Sequence, residues 1–117
     1  MNNDWRPISQ WERLPDVAGV YEIKNVETNL SYIGSAVALK QRGHYKLLKS
    51  GKSHNFRLQS AFDKYGERAF VFQILDLCPG QDPVALEQKR IDERDFETLY
   101  NLAPIAGSIL GYEFTSE

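Results

Sequence analysis

A helical stripe set against a strand-like run is the feature that most constrains the fold. Between Asn55 and Tyr65, the residues Leu58, Ala61, Phe62 and Tyr65 fall at i, i+3, i+4 and i+7, one apolar face of an amphipathic helix, with Gly66 placed to stop it. The run Phe70-Val71-Phe72-Gln73-Ile74-Leu75 follows at once, rich in aromatic and β-branched residues, and reads as a mostly buried strand whose exit Pro79-Gly80 marks. A helix and a strand that must both bury apolar surface, adjacent in sequence, predict a mixed α/β layer structure.

The rest of the chain supplies partners for both. Gly19 to Lys24 favours a strand by its β-branched and aromatic content, and the turn-forming stretch Asn25 to Asn29 leads into Leu30-Ser31-Tyr32-Ile33-Gly34. Together these predict a β-hairpin with Tyr21 and Tyr32 on adjacent strands. A helix is expected from about Ala38 to Lys49, ending before Ser50-Gly51. Asp82-Pro83 reads as an N-cap and first helical position, opening a further helix that should run to about Phe96. The 117 residues fit one domain, with a core over about 17–103 and a loose tail or the start of a linker over 104–117.

Charge is segregated along this chain. Net charge is only −2, yet between Lys40 and Lys64 seven basic residues stand against Asp63 alone, while from Asp76 onward nine acids stand against Lys89, Arg90 and Arg94. Lys40, Lys46, Lys49, Lys52 and Arg57 therefore form a candidate phosphate-binding surface, although a solvated lysine-rich helix face gives the same pattern. The single cysteine, Cys78, has no partner for an internal disulfide, and the polar start has no signal-peptide character. A reducing, cytoplasmic setting is expected. The longest apolar stretch is well short of the roughly 20 residues of a membrane helix.

Glu87 stands out on its own. Three residues after Val84 and four before Ile91, it places a carboxylate on the apolar stripe of its helix. An ionised group there costs several kcal/mol, on the order of a core mutation, unless it is paired or binds a metal. An ion pair with an arginine from elsewhere is the plainer of those two explanations.

Gly19-Val20-Tyr21, ten intervening residues, and Tyr32-Ile33-Gly34 resemble the two signature tripeptides of the GIY-YIG nucleases. Ser35-Ala36, Arg42, His54, Glu87 and Asn101 follow in that family's order and approximate spacing, so the resemblance covers about Gly19 to Asn101. It implies an α/β (α+β) fold, a small central three-stranded antiparallel sheet flanked by helices. It also implies a metal-dependent endonuclease acting on DNA.

The roles follow from the same resemblance. Tyr21 would be the general base, its pKa lowered by Arg42 and a metal; Tyr32 would orient the water or phosphate. Arg42 would neutralise the phosphate, and Glu87 would hold one Mg²⁺ or Mn²⁺. His54 would contact the phosphate or assist a proton transfer, and Asn101 would brace the site. The chain departs from the family after Arg42, where a histidine or tyrosine commonly follows by three or four residues but His44 follows by two. Either the helix is distorted at Gly43, or Tyr45 does the work.

The end of the match looks most like phage or intron homing endonuclease catalytic domains, which continue into a linker and a DNA-binding region. Absence of such a C-terminal reader would account for the modest net charge. A non-catalytic nucleic-acid-binding module on the same scaffold and a restriction or repair nuclease are the rival functions.

Overall fold

The computed structural model describes residues 4–102; the expected tail and the last residue of the expected core lie outside them. β2 (Gly19–Asn25) and β3 (Leu30–Ala36) form the hairpin. Asn29 closes its turn with a left-handed φ of 63°, a conformation asparagine adopts more readily than most residues, and its N–H donates to the Asn25 carbonyl at 2.8 Å. β4 (Phe70–Leu77) pairs antiparallel with the other edge of β2.

The sheet has four strands rather than three, in the order β1 (Arg6–Pro7), β4, β2, β3. The addition is β1, paired with Val71 and Phe72. Two residues carry no legible alternation, and a proline is tolerated there because the strand lies at an edge.

The helix expected over Ala38 to Lys49 is broken. Gly43, at φ 58°, separates α1 (Leu39–Arg42) from α2 (His44–Lys49). α3 (Phe56–Tyr65) is capped by the Asn55 side chain, which accepts the Leu58 N–H at 2.9 Å. Leu58, Ala61 and Phe62 are buried as expected, whereas Tyr65 is exposed at the helix end. In α4 (Val84–Asp92), Asp82 accepts the Val84 N–H at 3.0 Å. That helix stops at Asp92 rather than near Phe96, and a separate 3₁₀ turn covers Phe96–Thr98.

The sheet buries both faces. On one, Tyr21, Ile23, Tyr32, Phe70 and Phe72 meet Trp11, Leu39, Leu48 and the stripe of α3. On the other, Val20 and Ile33 meet Ile91 of α4 and Leu99. At about 1.5–3 kcal/mol for each large side chain buried, the first and larger cluster provides most of the apolar stabilisation. Among the described residues no helix is long and apolar enough to cross a membrane.

Candidate active site

The β2–β3 register sets Tyr21 opposite Gly34 and Ile23 opposite Tyr32. Both phenols therefore rise from one sheet face as diagonal neighbours, ring centroids 6.1 Å apart. Gly34 permits this crowding, and Gly19 a close approach to β4. A Cβ on Gly34 would lie 2.6 Å from Tyr21 Oη and 2.7 Å from the Tyr32 ring, and one on Gly19 would lie 2.5 Å from the Asp76 carbonyl oxygen. Beside Tyr21 the register with β4 slips between Val20 and Tyr21, an irregularity of the kind that re-aims side chains.

The break at Gly43 settles where the following side chains go. His44 Nδ1 lies 2.9 Å from Tyr21 Oη, and its Nε2 lies 2.9 Å from Ser53 Oγ. His54 Nε2 lies 3.1 Å from Tyr32 Oη, and Arg42 Nη2 donates to His54 Nδ1 at 2.9 Å. The distorted-helix alternative is the one observed. Tyr45 points elsewhere, its hydroxyl donating to Glu67 at 2.9 Å, so it does not join the cluster.

Burial governs the titration of these groups. Desolvation pushes the Tyr21 phenol up, and the Arg42 charge beside it only partly offsets this. Arg42 alone does not bring the Tyr21 phenol below its ordinary value, because the phenol is fully enclosed. Tyr32 is raised further, again by burial. Desolvation and then Arg42 hold His44 well below the usual imidazole range and bring His54 down to about 4. Both rings are uncharged at neutral pH. Among the described residues, Arg42 Nε is the buried side-chain polar atom without a hydrogen-bond partner.

Glu87 reaches this cluster from the opposite layer. It is buried on α4, and Ser35 near the end of β3 donates its hydroxyl to Oε1. Its negative charge raises both Tyr21 and Tyr32, so the carboxylate is electrostatically coupled to the phenols. Val84, expected on the same stripe, is exposed. Asn101 acts on the backbone: its Oδ1 accepts the Ile33 N–H at 3.0 Å and its Nδ2 donates to the Ile33 carbonyl at 2.8 Å. A side-chain amide thus stands in for a neighbouring strand at the β3 edge, where unpaired peptide groups would otherwise need partners.

The basic residues divide. Arg57 donates to the Asn101 carbonyl at 3.3 Å and Lys46 pairs with Glu12 at 3.4 Å. Lys49 lies over the Tyr45 ring, 4.5 Å from its centroid. Lys40 and Lys52 are exposed. Ser35, which touches Glu87, stood in the family pattern without an assigned role, and Ser53, which touches His44, had no sequence signal beyond adjacency to His54.

A strand-borne tyrosine pair, a helical arginine and a buried glutamate from α4 define a class as well as a site. Residues 17–101 match the GIY-YIG catalytic domain, and the chain belongs to the GIY-YIG family. It is 36% identical over 111 residues to the "Probable intron-encoded endonuclease 1" of Neurospora crassa, covering 89% of this chain and 36% of that protein. It is 30% identical over 96 residues to the "Intron-associated endonuclease 1" of Enterobacteria phage T4, covering 80% of this chain and 39% of that one. The chain thus spans little more than a third of the length of these curated relatives. Among solved structures, the catalytic domain of the homing endonuclease I-TevI superposes with a TM-score of 0.65 at 32% identity, covering 74% of this chain and 98% of that one. A point variant of the same domain gives a TM-score of 0.66 at 31% identity, covering 76% and 96%.

Proposed function

We propose that this chain is a homing-endonuclease-like nuclease that hydrolyses DNA phosphodiester bonds, with Tyr21 and His44 relaying a proton, Arg42 on the phosphate and Glu87 holding one divalent cation. The observation that carries the reading is convergence. Two phenols, two uncharged imidazoles and a guanidinium share one hydrogen-bonded cluster, and a carboxylate from the far side of the sheet bears on both phenols.

Arg42 Nε is a buried donor in need of an acceptor, and a phosphate oxygen is the acceptor its planar fork suits best. A phosphate seated there offsets the positive field that helps to hold the His44 pKa down, so His44 becomes a better base as substrate arrives. Tyr21 then takes a proton from the attacking water as its own passes to His44 Nδ1. No free phenolate is needed, which suits a phenol whose pKa burial has raised. An Nε2–H donated to Ser53 Oγ leaves the Nδ1 lone pair facing Tyr21. Tyr32, tied to His54, orients the water or phosphate, and Asn101 braces β3 beneath them.

Among the described residues, no three His, Cys, Asp or Glu side chains converge on one point. One protein carboxylate fits a single Mg²⁺ or Mn²⁺ completed by waters and phosphate oxygens better than it fits a two-metal centre. Bound at Glu87, the cation would neutralise charge on the phosphate and on the departing 3′ oxygen. Exposed Lys40, Lys49 and Lys52 would contact flanking phosphates.

Nicking of supercoiled plasmid tests the reading. Mg²⁺-dependent cleavage is expected, with Glu87→Ala reducing it by at least about 10³-fold. Cleavage that survives both EDTA and that substitution rejects the mechanism. DNA binding without any cleavage favours the non-catalytic module.

A further inference from the structure

The segment ahead of β2 lies outside the family match, which begins at residue 17, yet it forms the back wall of the site. Ile8, Trp11 and Leu14 are buried in the same cluster as Tyr21 and Tyr32. Trp11 is fully buried and stands edge-on to Tyr21, with ring centroids 4.9 Å apart and planes at 89°. Its indole N–H donates to the Leu39 carbonyl at 3.1 Å. Asp16, just beyond, accepts two hydrogen bonds from Gln41 of α1, from the backbone N–H at 3.3 Å and from Nε2 at 2.7 Å.

The Leu39 carbonyl is the one that an uninterrupted helix would satisfy with the N–H of residue 43. The helix ends there, because Gly43 is left-handed. That same break brings His44, only two residues after Arg42, to Tyr21. We propose that Trp11 is a positioning residue of the active site: its indole satisfies the carbonyl at the break and braces the Tyr21 ring, so that the short Arg42-Gly43-His44 spacing still delivers both side chains to the phenols. The buried segment carrying Trp11 and the unusual spacing are thus two halves of one arrangement. This rests on the reading of Tyr21, Arg42 and His44 as the reacting cluster.

Trp11→Phe in the 117-residue chain keeps an aromatic ring and removes the N–H. Phe62→Leu, at a ring that packs on Phe70, serves as the control for lost core packing. Trp11→Phe is expected to lower kcat about tenfold at a KM for DNA within about twofold of the parent, beyond what Phe62→Leu does at equal loss of Tm. The ¹⁵N signals of the His44 ring are expected to move from a neutral, Nε2-protonated pattern towards a tautomer mixture in Trp11→Phe alone. Unchanged His44 signals, or a kcat loss no greater than that of the control, overturn the proposal. The NMR arm uses no DNA, so a parent chain that fails to cut sinks the nuclease reading while His44 still decides on Trp11.

Discussion

Each face of the sheet buries charged side chains, and the two treat them differently. Beneath α4, the Glu22 carboxylate receives both Arg94 nitrogens at 2.8 and 2.7 Å and Gln73 Nε2 at 3.0 Å. Desolvation alone would raise its pKa, yet the hydrogen bonds from Arg94, Ser31 and Gln73 leave it lowered. Every demand is met inside the protein. Across the sheet, Arg42 keeps an unpaired Nε, His44 and His54 are held uncharged, and Tyr21 is raised. A closed set of partners is what a fold needs; an open set is what a substrate can complete.

The largest expected effects would split the two faces by readout. On the proposed reading, Arg42→Ala should lower DNA cleavage by about 10³-fold, since it would take the guanidinium away from the phosphate, with little loss of stability. Arg94→Ala should do the reverse, leaving Glu22 buried and unpaired at a cost of about 2–3 kcal/mol, below the usual range for a buried pair because Arg94 is partly exposed. Urea unfolding and plasmid nicking on both variants check this. If Arg94→Ala loses activity beyond its unfolded fraction, the division fails.

Acid should unpick the faces in sequence. A histidine whose folded pKa lies below its unfolded value contributes stability that is complete above pH 6.5 and is lost as pH falls towards the folded value. For His54 that window runs from 6.5 down to about 4, and His44 adds a loss of the same sign below 6.5. Glu22, lowered from 4.5, keeps its contribution until pH drops below that value. The Tm of the parent should therefore begin to fall near pH 6.5, earlier than carboxylates alone would give. In His54→Gln the first part of that decline should shrink; an unaltered curve would show that the site face does not set acid stability.

What the sequence disclosed follows the same division. Periodicity exposed α3, and strand chemistry exposed the hairpin and β4, because those elements bury repeating surface. The candidate site residues surfaced through the tripeptides and through Glu87, a charge on an apolar stripe. What escaped was non-periodic. β1 is too short to alternate and the Glu22–Arg94 pair joins residues far apart in sequence; the break at Gly43, one residue's φ, was legible only as one of two alternatives. The choice between His44 and Tyr45 turned on that break, because on a straight helix a spacing of two points to another face.

The smallest expected effect sharpens the comparison at the surface. Of the five basic residues read as phosphate contacts, Arg57 and Lys46 already have protein partners, while Lys40 and Lys52 are exposed. A cation that meets phosphate releases a counterion, so removing it lowers the slope of log affinity against log salt by roughly 0.9 for duplex DNA. Lys52→Ala should show that change in a salt titration of DNA binding, with Tm unaltered. Arg57→Ala should instead lower Tm, since it loses its bond to the Asn101 carbonyl beside β3, and leave the salt slope close to the parent's. Equal slopes for Lys52→Ala and the parent would remove that lysine from the DNA surface. A reduced slope in Arg57→Ala would place its guanidinium on phosphate when DNA is bound, so that the bond to Asn101 serves only the DNA-free chain.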